Sequence, residues 1–181
     1  MLLWVLLIAF PVGPLDNPRD DTGSTPLTAA VWEENKGVVE TLLAHGADVD
    51  KADDAGYTPL TAAAWEGNEE MVETLLAHGA DANKADDDGY TPLTVAVWEE
   101  NKGFVETLLA HGADVDKANN AGVTPLTAAA WEGDEEMVET LLAHGADVDK
   151  VARDTPLTVA VWEGNEEMVE TLLAHVADAN K

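Results

Sequence analysis

The chain has 181 residues, of which 36 are Asp or Glu and only 9 are Lys or Arg, so its formal net charge is −27. The length suits one domain or a short array of repeats, and a hydrophobic fraction of 46% is too high for a disordered acidic tail. Binding to nucleic acid or to an anionic membrane surface needs clustered basic residues, so we expect neither. The sequence contains no cysteine, which excludes disulfides, thiolate nucleophiles and cysteine-based zinc sites.

An apolar N-terminal segment, residues 1–19, has two open interpretations. Its run from Leu2 to Phe10 is too short to span a bilayer, and residues 1–14 lack the basic region and the clear cleavage site of a signal peptide. Shifted by one period of the repeats described next, Gly13 falls on an equivalent glycine, which favours a degenerate half-repeat that caps the array. The cap predicts a cytoplasmic protein, whereas a signal or anchor segment predicts secretion or membrane attachment.

Residues 20–181 form a repeating array. The motif Thr-Pro-Leu-Thr recurs at intervals of 33, 33, 33 and 31 residues, starting at Thr25, Thr58, Thr91, Thr124 and Thr155. In each copy the first Thr can cap a short helix that begins at Pro, and a second, amphipathic helix follows a turn. Glycine ends the second helix in the first four copies, and a run of turn-forming residues leads on. Helices this short need stacked neighbours for stability.

The repeat resembles a known family. Residues 56–64, GYTPLTAAA, and residues 75–81, LLAHGAD, are similar to the ankyrin consensus. The resemblance implies an all-α repeat fold, an ankyrin-type α-solenoid of five helix-turn-helix units with β-hairpin finger loops. It also implies a non-catalytic scaffold that binds proteins on its concave face. Two alternatives stay open: a structural spacer segment of a longer acidic array, or an artificial consensus-like scaffold, which the near-identity of the copies would explain.

A second period of 66 residues lies over the first, because the first and third repeats share one turn sequence while the second and fourth share another. Glu34 and Glu100 stand in the turns of the first and third repeats where the family has glycine. If this position is left-handed, each glutamate costs on the order of 1 kcal/mol. In the fifth repeat, Val176 replaces the glycine that ends the second helix, and the finger is two residues shorter.

Catalytic and metal chemistry find little support in the sequence. Carboxylates recur with the repeat, whereas an active site needs one unique constellation, so we expect no enzyme and no cofactor. The finger carboxylates lack the spacing of a calcium loop. Histidines also recur once per repeat, but adjacent repeats are too far apart for two of them to bind one ion. These histidines are His45, His78, His111, His144 and His175.

The tryptophans suggest the binding surface. One follows the small residues of each first helix, at a position that varies in the family and lines the concave face. With neighbouring carboxylates and finger tyrosines they suit the Lys and Arg side chains of a basic protein partner, bound by a monomer. The predicted partner-binding residues are Trp32, Trp65, Trp98, Trp131, Trp162, Glu66, Glu99, Asp53, Asp54, Tyr57, Asp86, Asp87, Asp88 and Tyr90. The alternative is a purely structural ladder, in which each indole packs on the next repeat.

Overall fold

The computed structural model describes residues 23–150 and 154–179, with side chains as far as residue 176. The predicted cap or signal segment, residues 1–19, lies outside these ranges, as do residues 151–153 of the short fifth finger. The described residues form five helix pairs and no β-strand. The helices are α1 Pro26–Trp32, α2 Lys36–Ala44, α3 Pro59–Glu66, α4 Glu69–Ala77, α5 Pro92–Trp98, α6 Lys102–Ala110, α7 Pro125–Glu132, α8 Glu135–Ala143, α9 Pro156–Glu163 and α10 Glu166–Ala179.

Side-chain caps set the start of both helices in a pair. In the second repeat the Oγ1 of Thr58 accepts a hydrogen bond from the backbone N–H of Thr61 at 3.1 Å, and Pro59 occupies the first helical position. Asn68 then accepts from the N–H of Met71 at 3.1 Å to begin α4. Capping of this kind satisfies N–H groups that have no partner inside the helix. The predicted helix starts are therefore confirmed.

The core is continuous from repeat to repeat. The first helices contribute Leu60 and the alanines 62–64, which are fully buried, and the second helices contribute Met71 and Leu75. Successive first helices pack together more closely than successive second helices do, because their small alanine side chains permit a close approach. The array therefore curves towards the row of first helices, which lies on its concave face. This architecture is the predicted helical solenoid.

Each finger turns back on itself in a short hairpin. In the second repeat the N–H of Asp53 donates to the carbonyl of Tyr57 at 3.0 Å, and the N–H of Gly56 donates to the carbonyl of Asp53 at 3.0 Å. Gly56 has a φ of 84°, and a Cβ there would lie 2.5 Å from the backbone nitrogen of Asp87 in the next finger. Glycine is thus required both by the turn and by the neighbouring finger.

Two turns between paired helices hold a strained glutamate. Glu34 and Glu100 both have a φ of 52°, whereas the glycines at the equivalent position, Gly67 and Gly133, have φ values of 69° and 72°. The position is therefore left-handed, as the sequence analysis supposed, and glutamate occupies it at a steric cost that glycine avoids.

The last helix differs from the other second helices. Helix α4 ends before Gly79, whose φ of 86° reverses the chain, but α10 continues through Val176 and has 14 residues instead of 9. Valine has a branched Cβ that disfavours the left-handed conformation, so the helix does not stop there. None of the helices in the described ranges combines the length and the hydropathy needed to cross a membrane.

Candidate functional site

Two of the predicted finger carboxylates hold the finger turns together. The Oδ1 of Asp53 accepts hydrogen bonds from the N–H groups of Ala55 at 3.0 Å and Tyr57 at 2.9 Å. Asp53 is only 8% exposed, and its Oδ2 has no hydrogen-bond partner among the described residues. Burial raises the pKa of Asp53, although its two backbone hydrogen bonds oppose this shift. This carboxylate therefore acts on the finger itself and presents little surface to a partner.

Asp86 repeats this arrangement in the next finger. Its Oδ1 accepts from the N–H groups of Asp88 at 3.0 Å and Tyr90 at 2.8 Å. Burial raises the pKa of Asp86 to about 6, and the negative charges of Asp88 and Asp87 add to the shift. In the third finger Asn119 occupies the same place, and its amide oxygen accepts the two equivalent hydrogen bonds.

The predicted carboxylates at the finger tips are exposed. Asp54, Asp87 and Asp88 all lie at the surface of the array. The backbone beneath them is bonded to the next finger, because the N–H of Asn120 donates to the carbonyl of Asp88 at 3.0 Å and its Nδ2 donates to the carbonyl of Asp87 at 2.9 Å. The tips are thus held in place while their carboxylates face solvent.

The tryptophans pack between repeats and most of them keep part of the ring exposed. The Trp32 ring meets the Tyr57 ring edge to face at 6.0 Å and is only 7% exposed. In the next repeat Trp65 packs with Tyr90, which is 8% exposed. Where the following finger supplies Val123 instead of tyrosine, Trp98 stacks on Trp131 at 6.0 Å.

The five predicted tryptophans therefore differ in exposure. Trp65, Trp98 and Trp131 are half-buried, and Trp162 is 64% exposed. The structural ladder and the exposed stripe coexist in the three central repeats, since each ring contacts its neighbour with one part and solvent with another.

The buried part of these rings includes the indole nitrogen. The Nε1 atoms of Trp32, Trp65 and Trp98 are buried and find no acceptor within the described part of the chain. In the half-buried Trp65 and Trp98 the exposed portion is therefore carbon alone. Such a surface offers ring faces and edges to a partner and no N–H donor.

Glutamates of adjacent repeats approach each other beside these rings. Loss of hydration and the negative charge of Glu66 raise the pKa of Glu99. In the same way, loss of hydration and the charge of Glu100 raise the pKa of Glu132. Two carboxylate pairs result, one joining the second and third repeats and one joining the third and fourth. The sequence analysis proposed Glu66 and Glu99 for the site but missed Glu100, which only the extra glutamate of the third repeat's turn could have signalled.

Comparison with protein families decides what this arrangement of helix pairs and fingers is. The family described as ankyrin repeats (3 copies) matches residues 50–119, 79–152 and 115–181, and the family described as ankyrin repeat matches residues 22–54. Together these matches extend from residue 22 to residue 181. The chain belongs to the ankyrin-repeat family. Ankyrin repeats generally mediate protein–protein interaction and are typically not enzymes. A search of curated proteins found no match.

Lysines of the ankyrin array serve mainly to join one repeat to the next. The Nζ of Lys36 lies 2.5 Å from the Oε1 of Glu70, and Lys102 pairs in the same way with Glu136. Finger lysines do the same through the backbone, as Lys84 donates to the carbonyl of Asp50 at 2.6 Å. Lys117 likewise donates to the carbonyl of Asn83 at 2.5 Å. These four positive charges are spent inside the array and leave its surface more acidic.

The junction between the fourth and fifth ankyrin repeats lacks such a bridge. There Glu135 stands where Lys36 and Lys102 stand in other repeats, and it faces Glu167. Loss of hydration and the negative charge of Glu167 raise the pKa of Glu135. Like charges therefore meet at a place where the first and third junctions have an ion pair.

The histidine ladder caps the second helices. The Nδ1 of His78 lies 2.8 Å from the carbonyl oxygen of Thr74, and the other four histidines make the same contact at 2.7–2.9 Å. A carbonyl only accepts hydrogen bonds, so Nδ1 carries the proton. Across the described residues, no three His, Asp or Glu side chains come together as a metal site.

Proposed function

We propose that this ankyrin array binds a basic protein partner on its concave face, through the tryptophans, neighbouring glutamates and finger carboxylates of the central repeats. The observation that carries the proposal is the combination of half-exposed indoles with paired glutamates on one side of the array. Trp65 and Trp98 offer ring carbon beside Glu66 and Glu99, and the finger tips add exposed carboxylates. Aromatic faces beside carboxylates attract Lys and Arg by cation–π contact and by charge.

The charge distribution supports a basic partner. The formal net charge is −27, and four lysines are engaged between repeats. A cationic protein would gain both faster association and contact energy on such a surface. The same net charge opposes self-association, so the proposal takes the array to be a monomer. It also takes the protein to be cytoplasmic, which follows from reading residues 1–19 as a cap.

Selection from a random peptide display library tests the proposal without presupposing the ligand. We expect peptides selected on the wild-type array to be enriched in Lys and Arg. We also expect them to bind Trp65→Ala and Trp98→Ala at least tenfold more weakly, since truncating a central aromatic commonly costs about 2 kcal/mol. His78→Ala, which alters a helix cap away from the concave face, is the control.

Circular dichroism must show cooperative unfolding of all three variants. Selected peptides that are not basic, or that bind both tryptophan variants as tightly as wild type, would show that the concave face is not the recognition surface.

A further inference from the structure

The two glutamate pairs on the concave face are placed one repeat apart. Glu66 and Glu99 belong to the second and third repeats, and Glu100 and Glu132 belong to the third and fourth. Within each pair one carboxylate is close enough for its charge to oppose ionisation of the other. A cation between the members of a pair would relieve this repulsion while gaining two attractive contacts.

A tryptophan precedes a glutamate of each pair and supplies a second attraction for a cation. Trp98 directly precedes Glu99, Trp131 directly precedes Glu132, and the two rings stack at 6.0 Å with an interplanar angle of 29°. Because the Nε1 of Trp98 is buried, its accessible part is ring carbon, with which a cationic or methylene-rich side chain makes favourable contact. Both carboxylate and aromatic components of a Lys or Arg subsite are therefore present twice.

A metal ion fits these pairs less well than a protein side chain does. Over residues 23–150 and 154–179, no group of three acidic or histidine side chains is arranged to hold a metal. Two carboxylates with an indole suit a long cationic side chain, since its methylene groups cover ring carbon while its charged end reaches the oxygens.

We infer that the concave face holds two cation subsites one repeat apart, Glu66 with Glu99 and Glu100 with Glu132, which take Lys or Arg side chains three residues apart in one extended basic segment. The inference rests on the proposed function and specifies its ligand. A cation every third residue is the pattern that the array reads.

The spacing follows from chain geometry. Packed helices lie about 8–10 Å apart, which sets the distance between equivalent points of adjacent repeats. A polyproline II segment rises about 3.1 Å per residue with three residues per turn, so residues i and i+3 share a face about 9 Å apart. In a β-strand, residues i and i+3 point to opposite faces. In an α-helix the matching pair is i and i+7, about 10.5 Å apart, which exceeds the repeat distance.

Three synthetic peptides of equal charge and length test the inference by NMR titration of the full-length protein. The first carries two lysines separated by two residues, Lys-Pro-Ala-Lys, the second carries them adjacent, Lys-Lys-Pro-Ala, and the third is a helix-forming peptide with lysines seven residues apart. We expect the first to bind at least fivefold more tightly than either of the others. Its binding should also lower the pKa of Glu99, followed through the side-chain carboxyl resonance.

Matched charge changes locate the subsites. Glu99→Gln and Glu132→Gln should each weaken the first peptide at least threefold and remove its advantage over the second. Glu73→Gln removes the same charge from an exposed position on the second helix α4 and should leave that advantage intact.

The outcomes separate the inference from the proposed function. Equal binding of the first two peptides, or tighter binding of the helical one, overturns the three-residue spacing while leaving a basic-partner surface in place. An equal effect of Glu73→Gln and Glu99→Gln overturns the subsites in favour of diffuse charge attraction. If no lysine peptide shifts the Trp65, Trp98 or Glu99 resonances, then both the subsites and the concave binding surface are wrong.

Discussion

Replacing the left-handed glutamates by glycine should stabilise the array. Glu34 has a φ of 52° at the place where Gly67 has a φ of 69°, so the backbone of the first repeat already has the conformation that glycine prefers. A left-handed conformation costs an L-residue about 1–2 kcal/mol, whereas glycine loses about 0.5–1 kcal/mol more chain entropy on folding. The expected net gain for Glu34→Gly is about 0.5–1 kcal/mol.

The third repeat provides an independent copy of the same experiment. Glu100 also has a φ of 52°, and it lies two repeats from Glu34, so the two gains should add to about 1–2 kcal/mol in the double variant. For a chain of this size that corresponds to a rise in Tm of about 2–8 °C. Urea unfolding followed by circular dichroism measures the free energy of unfolding of each variant.

Two controls separate backbone strain from charge. Glu34→Gln removes the same negative charge but retains a side chain in the left-handed position, so it should recover little of the gain. Gly67→Ala reverses the experiment, because a Cβ there would meet no atom within 4 Å and any loss is conformational. If Glu34→Gln stabilises as much as Glu34→Gly, the gain comes from reduced charge repulsion and the strain argument is wrong.

Three further predictions concern charge and packing. The raised pKa of Asp86, about 6 against an ordinary value of 3.8, means that its ionisation destabilises the fold; this cost is absent below about pH 4 and complete above about pH 6. Asp86→Asn, which copies Asn119, should therefore raise the urea midpoint at pH 7 and not at pH 4, by about 1 kcal/mol after allowing for an amide N–H left unpaired; an equal effect at both pH values contradicts this. Trp32→Ala should cost about 3 kcal/mol or more of unfolding free energy because this ring is 7% exposed, whereas Trp162→Ala, at 64% exposed, should cost under about 1 kcal/mol. Similar losses in the two variants would mean that burial does not set the cost. Sodium chloride should raise the urea midpoint of the wild type, since screening weakens repulsion in a chain of net charge −27; a fall would show that ion pairs such as Lys36 with Glu70 outweigh it.

The repeating features of the fold were accessible from the sequence because each depends on a few neighbouring residues. A threonine before proline and an asparagine before the second helix act within three residues of their own position, so Thr58 and Asn68 could be assigned as caps directly. The left-handed site at Glu34 followed from alignment with Gly67 in the next copy.

The binding surface was harder to predict because it depends on contacts between repeats. Five tryptophans with nearly the same local sequence range from buried Trp32 to exposed Trp162, according to whether a later repeat and a finger tyrosine cover the ring. Asp53 was assigned to the surface because Asp is common in turns, and its burial in the finger hairpin has no local signal. The pairing of Glu100 with Glu132 joins residues 32 positions apart and follows only from the stacking.

The alternating junctions also bear on how such a gene can change in length. A lysine-type repeat followed by a glutamate-type repeat forms the bridge of Lys36 with Glu70, and the reverse order places Glu69 beside the small Gly103. Removing one 33-residue copy would bring two repeats of the same type together, as between the fourth and fifth, where Glu135 meets Glu167. Gain or loss of two copies at once preserves every kind of junction. Recombination in steps of 66 residues should therefore be tolerated far better than single-copy slippage, and descendants of this array should differ by even numbers of repeats.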